Sequence, residues 1–459
     1  MIRIDTSLTP KDLRGPAERL FELSAQKIHG LQKTWNPAHG TPVFTVAGKY
    51  TSRGWTEWTQ GFQFGSAILQ FDATDDSQAL EIGRSGTLKY MASHVSHIGV
   101  HDHGFNNVST YGNLLRLARE GKISADRGEV DFYEIALKVS GAVQAARWTD
   151  LPENLGYIYS FNGPHSLFAD TIRSLRSLAV GHQLGHALMG ERDRKFSLVD
   201  RIFKHAETTA RYNVYFGAGR DFYDVRGRVA HESIFNTNDG SYRCPSTQQG
   251  YTPFSTWTRG LAWILCGYAE ELEFLQTLPE TEFKAYGGKK KILARFLETA
   301  TATADFFIEN TPLDGIPYWD TGAPGLAQMG NYLDRSAEPF NDYEPVDSSA
   351  AAIAAQGYIR LGNYLKSQKQ AKLGARYLAT GLTIAKSLFS EPYLSTSPKH
   401  QGLLLHAVYH RPNGWDYIPK GRKVPCGESC MWGDYHAREL ALLLLRIARE
   451  EPYYAFFLK

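Results

Sequence analysis

Apolar residues recur along this chain at intervals of three and four positions, whereas the alternation typical of strands is scarce. The pattern predicts about twelve helices, over residues 10–33, 58–73, 78–96, 106–120, 129–146, 166–189, 194–213, 255–277, 289–310, 347–366, 369–389 and 433–449. They fall into six antiparallel pairs. We therefore expect one all-α domain over residues 1–459, a toroid of six inner helices ringed by six outer ones. An open helical solenoid is the alternative, but its polar capping repeats are not found.

Long segments rich in aromatic, Gly, Pro and polar residues separate the predicted helices, at 35–57, 147–165, 214–254, 311–346 and 390–432. Loops of this length in a compact domain are usually functional. In a helical toroid they would build the rim of a central pocket. Within 214–254, Asn-Asp-Gly predicts a turn, which a short hairpin would accommodate without changing the fold class.

One stretch, QQGYTPFSTWTRGLAW at 248–263, combines amides, hydroxyls, an arginine and two indoles. Ser255 or Thr256 is expected to cap a helix that begins there. Arg259 and Trp263 are four residues apart and share a face of that helix. Two interpretations are open: the wall of a pocket for a sugar or sugar acid, or a helix whose tryptophans are core and whose arginine caps a neighbour.

Composition excludes several classes of function. The chain has 50 basic and 48 acidic residues, interspersed, for a net charge of +2, so no nucleic-acid partner is expected. No apolar run reaches membrane-spanning length, and the first residues lack an apolar signal core, so we expect no membrane association and a cytoplasmic location. Four cysteines make no disulfide framework, and Cys426 and Cys430 lack a second ligand pair for a metal, so free thiols are expected.

Two aspartates are candidates for chemistry. Asp102, in His-Asp-His-Gly ahead of a helix, either caps that helix or projects into a cavity. A metal site made of His101, Asp102 and His103 is disfavoured, because adjacent side chains diverge and no distant ligand is identifiable. Asp170 lies in the first turn of a long helix near its apolar face, where an aspartate is commonly only a partner of the helix dipole.

His182 and His186 have the spacing of a zinc pair on the same helix. The glutamate that a metalloprotease needs between them is replaced by Gln183, so that class is excluded. We expect no metal and no cofactor.

Seven motifs carry a resemblance to a known family: WTQGF at 58–62, HDHGF at 101–105, ADTIRSL at 169–175, QGYTPFSTWTRGLAW at 249–263, GIPYWD at 315–320, DSSAAAIAA at 347–355 and WGDYHARELALL at 432–443. Each is weak alone, but all in this order are specific. The chain resembles the unsaturated glucuronyl hydrolases, glycoside hydrolase family 88. The resemblance implies an (α/α)6 barrel with long rim loops, in agreement with the helix pattern.

The resemblance also implies an activity. Members of this family remove a terminal 4,5-unsaturated uronic acid from oligosaccharides left by polysaccharide lyases. They hydrate the vinyl ether double bond: a general acid protonates C4, water adds at C5, and the hemiketal opens and releases the remaining sugar. The substrate partner is therefore a short unsaturated uronyl oligosaccharide.

By match to the family motifs, Asp170 is the general acid and base, and Asp102 is the second essential carboxylate. An apolar pocket and the neighbouring charge of Asp102 are expected to raise the pKa of Asp170. Substrate contacts are expected from His101, which orients a carboxylate or binds substrate, from Arg259 to the uronate, from Gln249 to hydroxyls, and from the ring faces of Trp58 and Trp263.

The chain departs from the family pattern at His103, Gln63, Pro253 and Phe254, which are expected around the sugar subsites. A family histidine upstream of Gln-Gly-Tyr has no firm counterpart, although His231 lies in the 214–254 insertion.

Other functions stay open. An unsaturated rhamnogalacturonyl hydrolase shares the barrel and the chemistry. A sugar epimerase on the same toroid would use a pair of bases, for which His182, His186 and His231 are available. A non-catalytic carbohydrate-binding module would not need two buried carboxylates. No oligomeric state is predicted.

Overall fold

The computed structural model of the chain describes residues 1–53 and 56–457, without the side chains of residues 56 and 57. The α-helices of this part are Arg14–Thr34 (α1), Gln60–Thr74 (α2), Ser77–Tyr90 (α3), Ala92–Val95 (α4), His103–Asn107 (α5), Asn113–Arg119 (α6), Arg127–Ala146 (α7), Thr171–Ser174 (α8), Arg176–Gln183 (α9), Leu198–Tyr212 (α10), Thr258–Thr277 (α11), Lys289–Glu309 (α12), Ser348–Ser367 (α13), Ala371–Leu388 (α14) and Met431–Ala448 (α15). None of them is long and apolar enough to cross a membrane.

These helices form the predicted (α/α)6 barrel. The inner ring runs through α2, then α5 and α6, then α8 and α9, then α11, α13 and α15, and closes where α15 packs on α2. The inner helices are buried on nearly all sides, whereas the outer helices α1, α3, α7, α10, α12 and α14 bury one face. One hydrophobic core includes residues from Ile2 to Phe456.

Short strands occupy the rim. They are Phe44–Val46 (β1), Lys49–Thr51 (β2), Trp148–Leu151 (β3), Leu155–Ile158 (β4), Ser166–Phe168 (β5), Leu188–Met189 (β6), Lys195–Phe196 (β7), Glu232–Phe235 (β8) and Tyr242–Ser246 (β9). Strand β8 pairs antiparallel with both β5 and β9, and the other strands pair as β1–β2, β3–β4 and β6–β7. The β8–β9 hairpin contains the predicted turn at Gly240, whose φ of 72° suits glycine.

Several predicted helix boundaries are wrong for tertiary reasons. The 166–189 segment begins as strand β5, which is drawn into the sheet by β8, and helix structure ends at Gln183. The helix predicted from residue 255 begins at Thr258, with Trp257 as N-cap. Its start is displaced because Trp257 bridges to Asp320 and the Thr258 N–H donates to the Trp319 carbonyl.

A buried charge belt crosses the middle of the barrel, below the ends where the inner helices begin. We define it by Arg173, Arg176, Glu270, Arg360 and Glu439, all at most 2% exposed. Arg173 lies 2.6 Å from Glu270 and 3.2 Å from Glu439, and Arg360 lies 3.7 Å from Glu270. Arg176 lies 3.4 Å from Glu439 and donates to the Gly104 carbonyl at 2.8 Å. The belt therefore links five of the six inner positions.

Breaking the charge belt should be costly. Glu439→Gln leaves Arg173 and Arg176 undercompensated in the interior, so we expect a loss of about 3–5 kcal/mol of unfolding free energy. The pKa of Glu439 is depressed because the nearby arginines outweigh burial, so this stability is present above the pKa of the unfolded chain and is lost as the pH falls. The difference in unfolding free energy between the wild type and the variant should therefore become smaller at acid pH.

The matched control is Glu18→Gln, which removes a carboxylate that also contacts two arginines, Arg14 and Arg449, but is 39% exposed. We expect a change below about 1 kcal/mol there. Urea unfolding of the three proteins at neutral and acid pH measures both effects. Equal losses of unfolding free energy in the two variants would show that the buried charge belt contributes no more to stability than an exposed ion pair.

Candidate active site

A cavity of about 280 Å³ opens at the end of the barrel where the inner helices begin. It is lined by Trp58, His101, Asp102, Phe105, Phe161, Phe168, Asp170, Gln248, Gln249, Trp257, Arg259, Trp263, Tyr409, His410, Asn413 and Trp415. All seven site residues predicted from the sequence are among them. Residues separated by up to 205 positions, from Trp58 to Trp263, thus meet at one place.

The two aspartates lie side by side with His101. Asp102 stands at the N-cap position of α5 but makes no capping bond with its side chain, so the carboxylate faces the cavity instead. His101 donates from Nε2 to Oδ2 of Asp170 at 3.1 Å and lies 3.9 Å from Asp102. One oxygen of each aspartate and one nitrogen of His101 lie within 4.8 Å of one another.

These three groups determine each other's protonation. Burial raises the pKa of Asp102 above its ordinary value. Burial also opposes ionisation of Asp170, but the hydrogen bond and charge of His101 outweigh it and lower the pKa. Burial disfavours protonated His101, yet the two carboxylates raise its pKa. The raised pKa expected for Asp170 is therefore wrong for the free protein, because the histidine contact was not foreseen.

His231 approaches Asp170 from the opposite side. Its Nδ1 accepts the backbone N–H of Gln248 at 3.0 Å, so neutral His231 carries its proton on Nε2. Burial lowers its pKa to about 4, which keeps the ring neutral. Nε2 lies 3.9 Å from Oδ1 of Asp170, and among the described residues neither atom has a hydrogen-bond partner. The pair leaves one donor and one acceptor for a third group.

Arg259 holds the wall of the cavity together. Its guanidinium donates to Asp347 at 2.8 Å, to the Val408 and Tyr409 carbonyls at 2.6 and 2.8 Å, and to Oε1 of Gln249 at 3.1 Å. It is 2% exposed. The arginine lines the cavity as predicted, but protein acceptors surround it, and its clearest effect is to fix the side-chain amide of Gln249.

Aromatic rings form the remaining walls. Trp58 stacks on Trp432 with centroids 5.0 Å apart, and Trp263 packs on Phe105 at 4.9 Å. Trp263 is only 3% exposed although it lines the cavity. The two interpretations of the 248–263 stretch are therefore both correct in part: its indoles are core residues and pocket wall at once.

Among the described residues, His101, Asp102 and Asp170 are the group of potential metal ligands that converges. The Nε2 atom that faces the carboxylates already donates to Asp170, so it is not free as a ligand. His103 turns away and bonds Ser140 and the His97 carbonyl, as expected for diverging neighbours. All four cysteines are free thiols, as predicted.

Several residues that line the cavity were not predicted, and two predicted positions lie elsewhere. Tyr409, His410, Asn413 and Trp415 reach the cavity from the 390–432 loop, whose aromatic content was the available signal. The departures at Gln63 and His103 do not lie at the cavity: Gln63 lines a small cleft beside Lys27, and His103 is buried.

Comparison with known proteins shows which proteins this chain resembles. No family model matches the chain. It is 26% identical over 411 residues to an unsaturated glucuronyl hydrolase of Bacillus sp. (strain GL1), covering 87% of this chain and 89% of the relative. It is 24% identical over 385 residues to an unsaturated glucuronyl hydrolase of Formosa agariphila, covering 83% and 78%. The predicted resemblance to the unsaturated glucuronyl hydrolases is confirmed. The chain is similar to glycoside hydrolases of this type over more than four fifths of its length.

The crystal structure of the Bacillus sp. GL1 unsaturated glucuronyl hydrolase is similar to this chain with a TM-score of 0.68 at 22% identity, covering 95% of this chain and 97% of that one. The likeness therefore extends over the barrel and its rim, and the predicted fold class is confirmed.

The electrostatic relation between His101 and Asp170 is open to direct test. His101→Gln keeps a hydrogen-bond donor but removes the positive charge, so the pKa of Asp170 should rise. The matched control is His103→Gln, a buried neighbour that does not face the carboxylates. Carboxyl ¹³C shifts of labelled aspartate, assigned with Asp170→Asn, report the titration. An unchanged pKa in His101→Gln would contradict the assigned contact.

Proposed function

We propose that this enzyme removes a terminal 4,5-unsaturated uronic acid from short lyase-generated oligosaccharides by hydrating the double bond. The observation that carries the proposal is the meeting of Asp102 and Asp170 beside His101 in an aromatic cavity, in a chain related to unsaturated glucuronyl hydrolases. Asp170 acts as general acid and base, and Asp102 is the second carboxylate.

The two carboxylates are close enough to act on adjacent atoms of one sugar ring. Here the facing oxygens lie within 4.8 Å. Both carboxylates can then address adjacent atoms of one double bond. Asp170 protonates C4, and Asp102 stabilises the positive charge that develops at C5 and the ring oxygen.

The proton for C4 is supplied within the same cluster. His101 is hydrogen-bonded to Asp170, and the two carboxylates raise the pKa of His101, which favours its protonated form. When an anionic uronate binds, its charge and the loss of water raise the pKa of Asp170. The proton of His101 then passes to Asp170 and on to C4. Deprotonated Asp170 next accepts a proton from the water that adds to C5.

The barrel itself favours an anionic ligand. Asp102, Asp170 and Arg259 stand at the starts of α5, α8 and α11, and Trp432 stands at the start of α15. Each helix start carries a partial positive charge, about half an elementary charge for a long helix. The start of α11, a helix of 20 residues, lies at the cavity, which partly offsets the two aspartates and suits the carboxylate of the uronic acid.

Substrate contacts follow from the walls. The side chain of Gln249, fixed by Arg259, hydrogen-bonds hydroxyls, and Trp58 and Trp263 lie against the sugar ring. His231 Nε2 donates to the group that enters the gap at Asp170. Arg259 contributes its charge to the uronate and positions Gln249. The cytoplasmic location predicted from the sequence stays a prediction.

The epimerase alternative loses its support. It required a pair of bases, and neither His182 nor His186 lines the cavity. His182 lies 4.0 Å from Glu282 at the far end of α9. Of the three histidines considered, only His231 approaches the carboxylates.

Activity is tested with lyase-generated disaccharides from glycosaminoglycans, pectin and ulvan. The wild type should abolish the ultraviolet absorbance of the conjugated double bond for at least one of them. Asp170→Asn and Asp102→Asn should lower the rate by about 10²–10⁴-fold, the weight of a positioned acid or base. Asp131→Asn, an exposed carboxylate paired with Arg127 on α7, is the control and should leave the rate unchanged.

If the absorbance persists with every disaccharide of the panel, the proposed activity is contradicted. Turnover of the pectic products alone would favour the rhamnogalacturonyl alternative. Product analysis for epimers distinguishes hydration from epimerisation.

The role of Arg259 is tested by Arg259→Lys. A single ammonium cannot bridge Asp347, two carbonyls and Gln249, so we expect kcat/KM to fall about 10- to 100-fold through misplacement of Gln249. The control is Arg201→Lys, another buried arginine over an indole, whose guanidinium lies 3.9 Å from the Trp148 ring and outside the cavity. Equal activity of the two variants, at comparable melting temperatures, would contradict the assigned role.

A further inference from the structure

The rim loop after α10 presents aromatic rings to solvent. Tyr223 and Phe254 stack on each other with centroids 4.5 Å apart and an interplanar angle of 26°. They are nevertheless 49% and 44% exposed, and Tyr251 beside them is 47% exposed. We call the stacked pair Tyr223 and Phe254 the aromatic platform. Phe254 belongs to the Pro253-Phe254 departure from the family pattern.

Buried contacts hold the aromatic platform in a fixed position. Arg228, which is 4% exposed, donates to the carbonyls of Tyr223 at 2.5 Å and of Pro253 at 3.2 Å, and so ties together the two segments that carry the rings. The Tyr215 ring is sandwiched between Arg228 and Arg220, at 3.6 and 3.5 Å. Gly227, with φ of 83°, lies against the Ala302 carbonyl with no room for a Cβ. The loop is thereby fixed to α12.

The platform lies on the same end of the barrel as the cavity. Outer helices run antiparallel to inner ones, so the C-terminal ends of α10 and α12, where this loop is anchored, are at the end where the inner helices begin. Gln249 lines the cavity, and Phe254 follows it by five residues, which an extended chain spans in at most about 18 Å. The cavity and the platform are thus neighbours along one loop.

The size of the cavity leaves the rest of a longer substrate outside it. At about 280 Å³ it is close to the lower limit of about 300 Å³ for ligand pockets. Segment 214–254 has four arginines and four acidic residues, so it offers no net charge for recognising carboxylates. Flat aromatic faces, by contrast, suit the C–H faces of sugar rings.

We propose that the aromatic platform is a distal subsite that binds sugar rings of an oligosaccharide whose unsaturated end occupies the cavity. This inference rests on the proposed function and deepens it, since it makes the enzyme selective for length. The sugar residues beyond the leaving group stack on Tyr223 and Phe254, so a hexasaccharide binds more tightly than a disaccharide with the same unsaturated end.

Binding is measured by calorimetry in an Asp170→Asn background, which prevents turnover. The probes are the unsaturated disaccharide and hexasaccharide from one polysaccharide, namely the one whose disaccharide the wild type consumes, or chondroitin if it consumes none. Tyr223→Leu/Phe254→Leu keeps apolar side chains but removes the flat faces. It should weaken hexasaccharide binding about 3- to 10-fold and leave disaccharide binding unchanged. Phe132→Ala, which removes a ring of 43% exposure on α7, should change neither.

Equal affinities of the two probes, an advantage of the hexasaccharide that survives the double substitution, or absence of hexasaccharide binding would each overturn the subsite. A change of oligomeric state in the double variant without a change in length preference would assign the platform to contacts between copies of the chain. Failure of the proposed function is read separately, as persistence of the double bond in the wild type.

Discussion

The buried charge belt fixes the heights at which the inner helices stand, and the geometry of the cavity depends on those heights. Arg173 follows Asp170 by three residues, so this member of the belt stands about one helical turn after the carboxylate. Arg176 joins the belt to the Gly104 carbonyl, next to the segment that carries Asp102. A shift of one inner helix would misalign these charges before it separated the aspartates. Replacing a buried ion pair by apolar residues is often neutral or stabilising, so the register it imposes is the better account of its presence.

That register gives the two aspartates pKa shifts of opposite direction. Burial raises the pKa of Asp102, whereas the hydrogen bond and charge of His101 lower the pKa of Asp170. The cavity therefore holds two carboxyl groups and one imidazole, one atom of each within 4.8 Å of the others. Such a cluster exchanges protons internally, and an entering anion redistributes them towards Asp170. In the proposed reaction, Asp170 then gains its proton as the substrate binds.

Much of this arrangement was predictable from local sequence. Helical periodicity identified the inner and outer helices, and motif order placed seven residues that the fold gathers into one cavity. The contacts of Arg259 were not predictable, because its partners Asp347, Val408 and Tyr409 are 88 to 150 residues away. The predicted rise in the pKa of Asp170 was wrong for the same reason, because His101 lies 69 residues away in the sequence. Helix α11 starts late because Trp257 is held by Asp320. The local sequence pattern therefore predicts the helices, whereas contacts between residues far apart in the sequence determine the pKa values of the site residues.

The division between barrel and loops also determines where specificity can change. His103 lies in the barrel interior and Gln63 beside a separate cleft, so these departures are accommodated by packing and leave the cavity unchanged. Pro253 and Phe254 lie on a loop that leads out of the cavity, where a change of side chain moves no inner helix. Substitutions on the rim loops therefore leave the positions of Asp102 and Asp170 unchanged. A chain of this architecture can alter the sugars it accepts beyond the cleaved bond while it retains the same pair of aspartates.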